Sequence, residues 1–292
     1  MRAAVVVSTY NRAGYLRDLV KCLDAQTLSR EAFEVVIVDN GSAEPVPAAT
    51  LRLEHNRGPG GGRNAGVAAT KADIVVFTDD DCLPSPTWLG RLLAAFDDPD
   101  VVVVQGRVDP DPATKDQMSP FDHTISVRGE TPFFETANVA YRREAFDAVG
   151  GFVERGGRAF GEDALLGAAV LARGGRRAYV DAALVEHRCV PRTFKQHLAD
   201  QRQLRWFPSL PLVPGGFLNR TTALFDLVVL SAVLALRWRL ALVVALPWFL
   251  RRLRTTRWYD SSPRTFAKFA VSDAVAFASL VEGSVKQRRL LL

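Results

Sequence analysis

The chain has 292 residues, is 48% hydrophobic and carries a net charge of +5, which supplies a core for one large α/β domain or two smaller ones and excludes a disordered chain. Three cysteines, Cys22, Cys82 and Cys189, show no paired spacing and no zinc-type cluster, which excludes a disulfide scaffold and points to a reducing compartment, the cytoplasmic side. The charge is uneven: residues 1–187 hold 20 Lys/Arg against 27 Asp/Glu (net −7), and residues 188–292 hold 17 against 5 (net +12), so the two parts do different work.

In chain order, the apolar run Ala3–Val7 is too short for a signal-peptide core and reads as a first strand. The polar turn Ser8-Thr9-Tyr10-Asn11-Arg12 leads into Tyr15–Leu28, where Leu16, Leu19, Val20 and Leu23 recur at helical spacing. Val35–Val38 reads as a second strand, followed by Asp39-Asn40-Gly41-Ser42, and Leu51–Glu54 as a short third. The glycine-rich stretch Asn56–Gly66 reads either as a flexible loop or as a backbone cradle for an anion ahead of a helix opening near Arg63. It lacks the Lys-Ser/Thr of a P-loop and the dinucleotide GxGxxG spacing.

Ile74–Phe77 is a short apolar, β-branched run of the kind buried on both sheet faces, and it ends directly in Asp79-Asp80-Asp81. Adjacent carboxylates repel, so three in a row are tolerated in open solvent or around a cation. Alternation along an extended backbone puts Asp79 and Asp81 on one side, where both can share a hard divalent ion with a diphosphate. The competing reading is a solvated turn before Pro84.

Further on, Trp88–Phe96 reads as an amphipathic helix and Val101–Val104 as a strand. Asp109–Glu135, with four prolines, reads as a long functional loop in which Phe133 and Phe134 face a sugar or anchor the loop. Thr136–Tyr141 is a strand, Arg143–Val149 a helix stopped by Gly150-Gly151, Ala164–Arg173 a helix opened by Glu162-Asp163, and Ala178–Val185 a strand with His187 just after it. Strands alternating with helices imply a mostly parallel sheet with ligands beyond the strands' carboxyl ends, where Ser8–Arg12, Asp39–Ser42 and Asp79–Asp81 all fall. Singly, Asn11, Asp39 and Asn40 can be caps or turn residues, and Glu162-Asp163 can simply complement a helix dipole.

Taken together, Val5–Arg12, Val36–Ser42, Asn56-Arg57-Gly58 with Gly62–Gly66, the acid triplet, Ala137-Asn138 with Gly150-Gly151-Phe152, and Glu162-Asp163 resemble a family 2 glycosyltransferase of the GT-A fold over about residues 3–190. The resemblance implies an α/β, Rossmann-like, mostly parallel sheet flanked by helices, and an inverting enzyme that uses a nucleoside diphosphate sugar. It implies a nucleotide-sugar site of Ser8, Thr9, Tyr10, Asn11, Asp39, Arg63, Asp79, Asp80 and Asn138, and Mn2+ or Mg2+ on Asp79 and Asp81, with His187 as a further metal ligand. It also makes Asp163 the base, with Glu162 its neighbour. Processive relatives carry a Gln-x-x-Arg-Trp box; here Arg202 stands where its Gln belongs, ahead of Arg205-Trp206, so a single-sugar transferase is expected.

The catalytic part is expected over 1–205 and a basic, apolar helical extension over 206–292. Neither apolar run, Ala223–Leu236 or Leu240–Leu250, reaches the roughly 20 residues that span a bilayer. In-plane helices or a hairpin are expected instead, with Trp238, Trp248 and Trp258 at headgroup level and Arg251, Arg252, Arg254 and Arg257 toward an anionic leaflet. A soluble helical cap or dimer interface is the alternative. The expected partners are therefore the sugar donor, a glycan or lipid-linked acceptor and the cytoplasmic face of the cell membrane, with no nucleic acid. A sugar nucleotidyltransferase would show a glycine-rich activating loop where Ser8–Asn11 stands, and a non-catalytic scaffold would be expected to lose the acids.

Overall fold

The computed structural model describes residues 2–154, 161–211, 220–235 and 243–291. They form two compact units, one of residues 1–117 with 124–189 and the other of 118–123 with 190–292. The second unit thus takes in 118–123 and 190–205, residues expected within the catalytic part.

The first unit is built on one sheet. Its elements run β1 (Ala3–Thr9), α1 (Ala13–Asp24), β2 (Phe33–Asp39), β3 (Leu51–Arg52), α2 (Gly58–Ala68), β4 (Ile74–Phe77), β5 (Cys82–Pro84) and α3 (Trp88–Ala94). They continue through β6 (Val101–Pro110), α4 (Pro112–Lys115), β7 (Val139–Arg142), α5 (Arg143–Ala148), α6 (Glu162–Ala172) and β8 (Arg176–His187). The strand order is β3-β2-β1-β4-β7-β6-β8-β5. β3, β2, β1 and β4 are mutually parallel, as are β6 and β8, while β7 runs antiparallel between β4 and β6.

Successive side chains of a strand alternate faces, and the core follows that period. Val5 and Val7 of β1 pack with Leu16, Leu19 and Leu23 of α1 and Trp88, Leu89 and Leu92 of α3. Val6 points the other way, toward Val67 of α2, Phe146 of α5 and Leu166 and Val170 of α6. A sheet covered by helices on both faces needs strands apolar at every position, which is why Val5-Val6-Val7 and Ile74–Phe77 show no polar alternation.

The glycine-rich stretch departs from expectation. It is neither a loop nor a cradle ahead of a helix: α2 already begins at Gly58 and runs through Gly60, Gly61 and Gly62. The cause is close approach. A Cβ on Gly62 would overlap Ser8 Oγ, and one on Gly66 would overlap Val6 Cγ1, so these glycines let the helix lie directly on β1 at the cost of weaker intrinsic helix propensity. Gly66→Ala is expected to destabilise the fold by roughly 1–3 kcal/mol, the usual range for overpacking a tight core. Urea unfolding checks this, and an unchanged midpoint would mean that the contact relaxes freely.

Of the two loop phenylalanines, Phe134 is fully buried and anchors its loop against Gly167 of α6.

The second unit is helical: α7 (Phe194–Gln201), α8 (Arg220–Ala235), α9 (Leu246–Tyr259) and α10 (Pro263–Gln287). Thr193 and Gln196 close a capping box on α7, and the ring of Phe121 lies 5.1 Å from Phe194 and 5.3 Å from Phe269. No helix among the described residues is long and apolar enough to cross a membrane. Of the three tryptophans expected at headgroup level, Trp258 is 85% exposed and Trp238 lies outside the described residues. Trp248 is different: it is buried, and its indole N–H donates to Asp273 Oδ2 at 2.8 Å. Arg252 also departs, because it pairs with the same carboxylate from Nε at 2.6 Å and faces inward.

Candidate active site

Three loops leave the carboxyl ends of β1, β2 and β4, and their backbones are tied together. Asn11 sits at φ +54°, a left-handed conformation that asparagine tolerates better than most residues. From there its Oδ1 accepts from Ala43 N at 2.8 Å, and its N–H donates to Ser42 Oγ at 2.9 Å. Asp39 is wholly buried, accepting from the Ser42 and Val46 amides and from Arg52 Nη1. Burial acts to raise that carboxyl, yet these hydrogen bonds and Arg52 hold it below its ordinary value. Asp39 therefore shapes the loop wall, Ser8 lies against Gly62 of α2, and Tyr10 is 44% exposed at the rim.

The acid triplet is not a solvated turn, since Asp80 and Asp81 are both buried. Arg12, which sequence reasoning placed only within a motif, supplies a counter-charge: Nη1 lies 3.1 Å from Asp80 Oδ1, and Nη2 pairs with Asp81 Oδ2. Its guanidinium rests on the Tyr15 ring at 4.7 Å. Thr9 Oγ1 donates to Asp80 Oδ2 at 2.6 Å. Asp79 Oδ1 accepts from Arg63 Nη2 at 2.7 Å. Arg63 is buried, and its Nη1 is 3.7 Å from Glu162 Oε1, so one guanidinium spans the acids after β4 and the acids that open α6.

His187 comes into the same place because β8 pairs with β5, register Cys82 to His187. Nδ1 of His187 meets the Arg188 carbonyl at 2.8 Å, which places a proton on Nδ1 and turns Nε2 toward Asp81 Oδ1, 3.4 Å away. That carboxylate oxygen is buried and accepts no hydrogen bond. An unprotonated Nε2 would face that oxygen lone pair to lone pair and repel it, so a proton or a metal cation belongs between them. Ligand atoms of Asp79, Asp81, Cys82 and His187 all lie within 4.8 Å of one another, so the three expected ligands converge and fit a divalent cation. Cys82 joins them; as a free buried cysteine beside the acids it carried no signal of its own in the sequence.

Glu162 and Asp163 form the first turn of α6, with Glu162 buried and Asp163 partly open. Burial and the adjacent Glu162 raise the Asp163 carboxyl well above its ordinary value. Asn138 needs a correction. It is fully buried, accepts from Trp88 Nε1 at 2.8 Å, and donates from Nδ2 to the carbonyls of Arg107 and Ala183. Both donors and one lone pair of its amide clamp β6, β8 and α3, and full burial leaves it no face toward a nucleotide.

Burial also pushes Asp80 up to about 7, against the pull of Arg12 and Thr9. The unfolded carboxyl ionises near 4, so between about pH 4 and pH 7 the folded chain holds a proton that the unfolded chain has released, and stability falls as pH rises through that window. Asp80→Asn removes this term. In EDTA the variant is expected to gain melting temperature over the parent as pH goes from about 5 to about 8. A constant offset across that range would rule out a strained acid.

Similarity to known proteins agrees with this geometry. The "Pre-mycofactocin glycosyltransferase" of Mycobacterium tuberculosis is 32% identical over 206 residues, covering 63% of this chain and 42% of the relative. The "Glucosyl-dolichyl phosphate glucuronosyltransferase" of Haloferax volcanii is 30% identical, covering 54% of this chain and 58% of the relative. The chain thus spans about half the length of these relatives. Among solved structures, the mannosyltransferase PcManGT of Pyrobaculum calidifontis with GDP-Man and Mn2+ superposes at TM-score 0.60 with 21% identity, over 98% of this chain and 87% of that one. S. aureus TarS with UDP-GlcNAc superposes at 0.53 with 17% identity, over 99% and 92%. Both share the fold. The sequence profile "Glycosyl transferase family 21" matches residues 131–287. That of "Glycosyl transferase family 2" matches residues 4–152, just over half of the chain and the stretch that holds the three strand-end loops and the acid triplet, so the chain belongs to glycosyl transferase family 2.

Proposed function

We propose that the chain is an inverting, metal-assisted glycosyltransferase. It moves one sugar from a nucleoside diphosphate donor to a hydroxyl of a lipid-linked or cell-envelope glycan acceptor at the cytoplasmic face of the membrane. The observation that carries this reading is the convergence of Asp79, Asp81 and His187, joined through Arg63 to the Glu162-Asp163 pair. Similar folds have been solved with GDP-Man and Mn2+ and with UDP-GlcNAc, which supports a sugar nucleotide as the donor class.

Asp79, Asp81 and His187 would hold Mn2+ or Mg2+, and that ion would act as a Lewis acid offsetting charge on the departing diphosphate. Arg63, already buried between acids, adds a fixed positive charge beside that diphosphate without reorganisation. Ser8, Thr9, Tyr10 and Asn11 would line the nucleoside side, with Asp39 and Asn11 keeping their loops in shape. On the opposite face of the sugar, Asp163 takes the proton of the acceptor hydroxyl as its oxygen attacks the anomeric carbon, and a single displacement inverts that centre. A carboxyl raised by burial holds a proton more firmly once it has taken it, which suits this role.

The test is a screen of UDP-, GDP- and dTDP-sugars for thermal stabilisation with Mn2+, followed by assay of nucleoside diphosphate release. Stabilisation by at least one donor class, abolished by EDTA, is expected. No stabilisation by any of them, or release of inorganic pyrophosphate from a nucleoside triphosphate and a sugar phosphate, would replace this reading with a nucleotidyltransferase or a non-catalytic scaffold.

A further inference from the structure

We propose that a cavity between α8 and α9 binds the phosphate headgroup of a membrane phospholipid together with the first carbons of its chains. This rests on the membrane side of the proposed function and is independent of the transfer chemistry. The cavity has a volume of about 380 Å³ and is lined by Leu224 of α8 and by Pro247, Leu250, Arg251, Arg254 and Thr255 of α9.

The α9 residues follow the three- and four-residue spacing of a single helix face. The opposite face of α9 is already committed, with Trp248 and Arg252 both bound to Asp273 of α10 and Thr256 buried. The helix is thereby locked in rotation, with Arg251 and Arg254 turned to the cavity. It carries four arginines and no acidic residue. Among the described residues, Arg252 is neutralised by Asp273, whereas Arg254 has no carboxylate within ion-pair distance.

The lining is amphiphilic in a specific way. Two guanidinium groups and a hydroxyl suit a phosphate, which arginine can grip with two parallel N–H donors. Three apolar side chains on the same walls have no use for inorganic phosphate or a soluble nucleotide. A purely apolar occupant would leave Arg254 beside it desolvated and without an anion. A phospholipid answers both requirements.

The surroundings suit the same occupant. Leu246, Phe249 and Leu250 on α9, and Leu230 and Val233 on α8, are each between 43% and 59% exposed. Large exposed apolar side chains beside arginines are the composition of a helix that lies in a membrane interface.

The test uses the full chain and co-sedimentation with vesicles of phosphatidylcholine alone and of phosphatidylcholine with phosphatidylglycerol. Arg251→Gln with Arg254→Gln is expected to weaken binding to the anionic vesicles about tenfold. Arg257→Gln with Arg264→Gln, the same charge change at exposed positions outside the lining, is expected to weaken it about threefold or less. Leu224→Trp, which fills the cavity and leaves every charge in place, should reproduce the larger loss, so the result does not depend on the arginine variant folding well. Inorganic phosphate at matched concentration should not compete with the vesicles.

Equal losses in the two arginine pairs together with a silent Leu224→Trp would reduce the interaction to diffuse charge and overturn the site. Competition by inorganic phosphate would make it a free-phosphate site. A chain that stays in the supernatant with both vesicles and runs as a dimer would make this face an interface between copies. Binding of sugar nucleotide, read separately by thermal shift, succeeds or fails independently of all three.

Discussion

Asp81→Ala is expected to abolish both sugar transfer and Mn2+-dependent binding of the nucleoside diphosphate while leaving the fold intact. One oxygen of this carboxylate pairs with Arg12, and the other faces His187 Nε2 at 3.4 Å without a hydrogen bond. Burial alone would raise the carboxyl, but His187 and Arg12 outweigh it and hold Asp81 below its ordinary value. The side chain is therefore ionised at neutral pH with a lone pair kept open, which is what a hard cation needs from a ligand. Removing it deletes one of two converging carboxylate ligands and also relieves repulsion from Asp79 and Asp80. Arg12 keeps Asp80 as a partner, so it is not left as an unpaired charge. Calorimetric titration of the nucleoside diphosphate with and without Mn2+, beside circular dichroism of the variant, makes the check. Unchanged Mn2+-dependent binding would sink the metal assignment, and a collapsed circular dichroism spectrum would make Asp81 a structural residue.

The two halves of this site were unequally legible in the sequence. Strand-end acids and loops announce themselves: Val5-Val6-Val7 and Ile74–Phe77 are apolar at every position, and the polar residues that follow mark the sheet edge at once. His187 was legible as a residue just after a strand, and the β5–β8 pairing brings it to Asp81. What stayed hidden depends on partners far away in the chain. Asn138 looked like a site residue because it shares a motif with residues near the pocket, but its side chain is spent on Trp88, fifty residues earlier, and on Ala183, forty-five later. The glycines at 58–62 read as a loop because glycine is a poor helix former; the close approach of Gly62 to Ser8 on β1 and of Gly60 to Phe152 explains why a helix carries glycine there. Trp248 and Arg252 looked like membrane-facing residues by composition, and a single acid on α10, Asp273, turns both inward. In each case local propensity pointed one way and a tertiary contact decided the other.

Asp163→Asn is expected to leave donor binding near that of the parent and to lower turnover by roughly 10²–10⁴, the range for losing a positioned general base. The amide keeps the size of the carboxyl and can still accept from Ala164 N, as Asp163 Oδ1 does at 2.9 Å, so the opening of α6 should survive. Glu162→Gln is expected to be milder in turnover but to disturb Arg63, which it meets at 3.7 Å and which also holds Asp79. The pH dependence separates the two acids. Asp163 must be deprotonated to accept a proton, and burial with the adjacent Glu162 lifts its carboxyl well above the ordinary range. The parent's activity should therefore climb with pH on a limb displaced upward from that of an ordinary carboxylate. Replacing Glu162 with a neutral amide removes one of the causes and should move that limb to lower pH. The residual activity of Asp163→Asn should lack the limb altogether. Turnover-against-pH profiles of the three proteins at saturating donor decide the matter: a severe loss in Glu162→Gln with a mild one in Asp163→Asn would exchange their roles, and an acid limb that stays in place without Glu162 would show that the neighbouring charge does not tune the base.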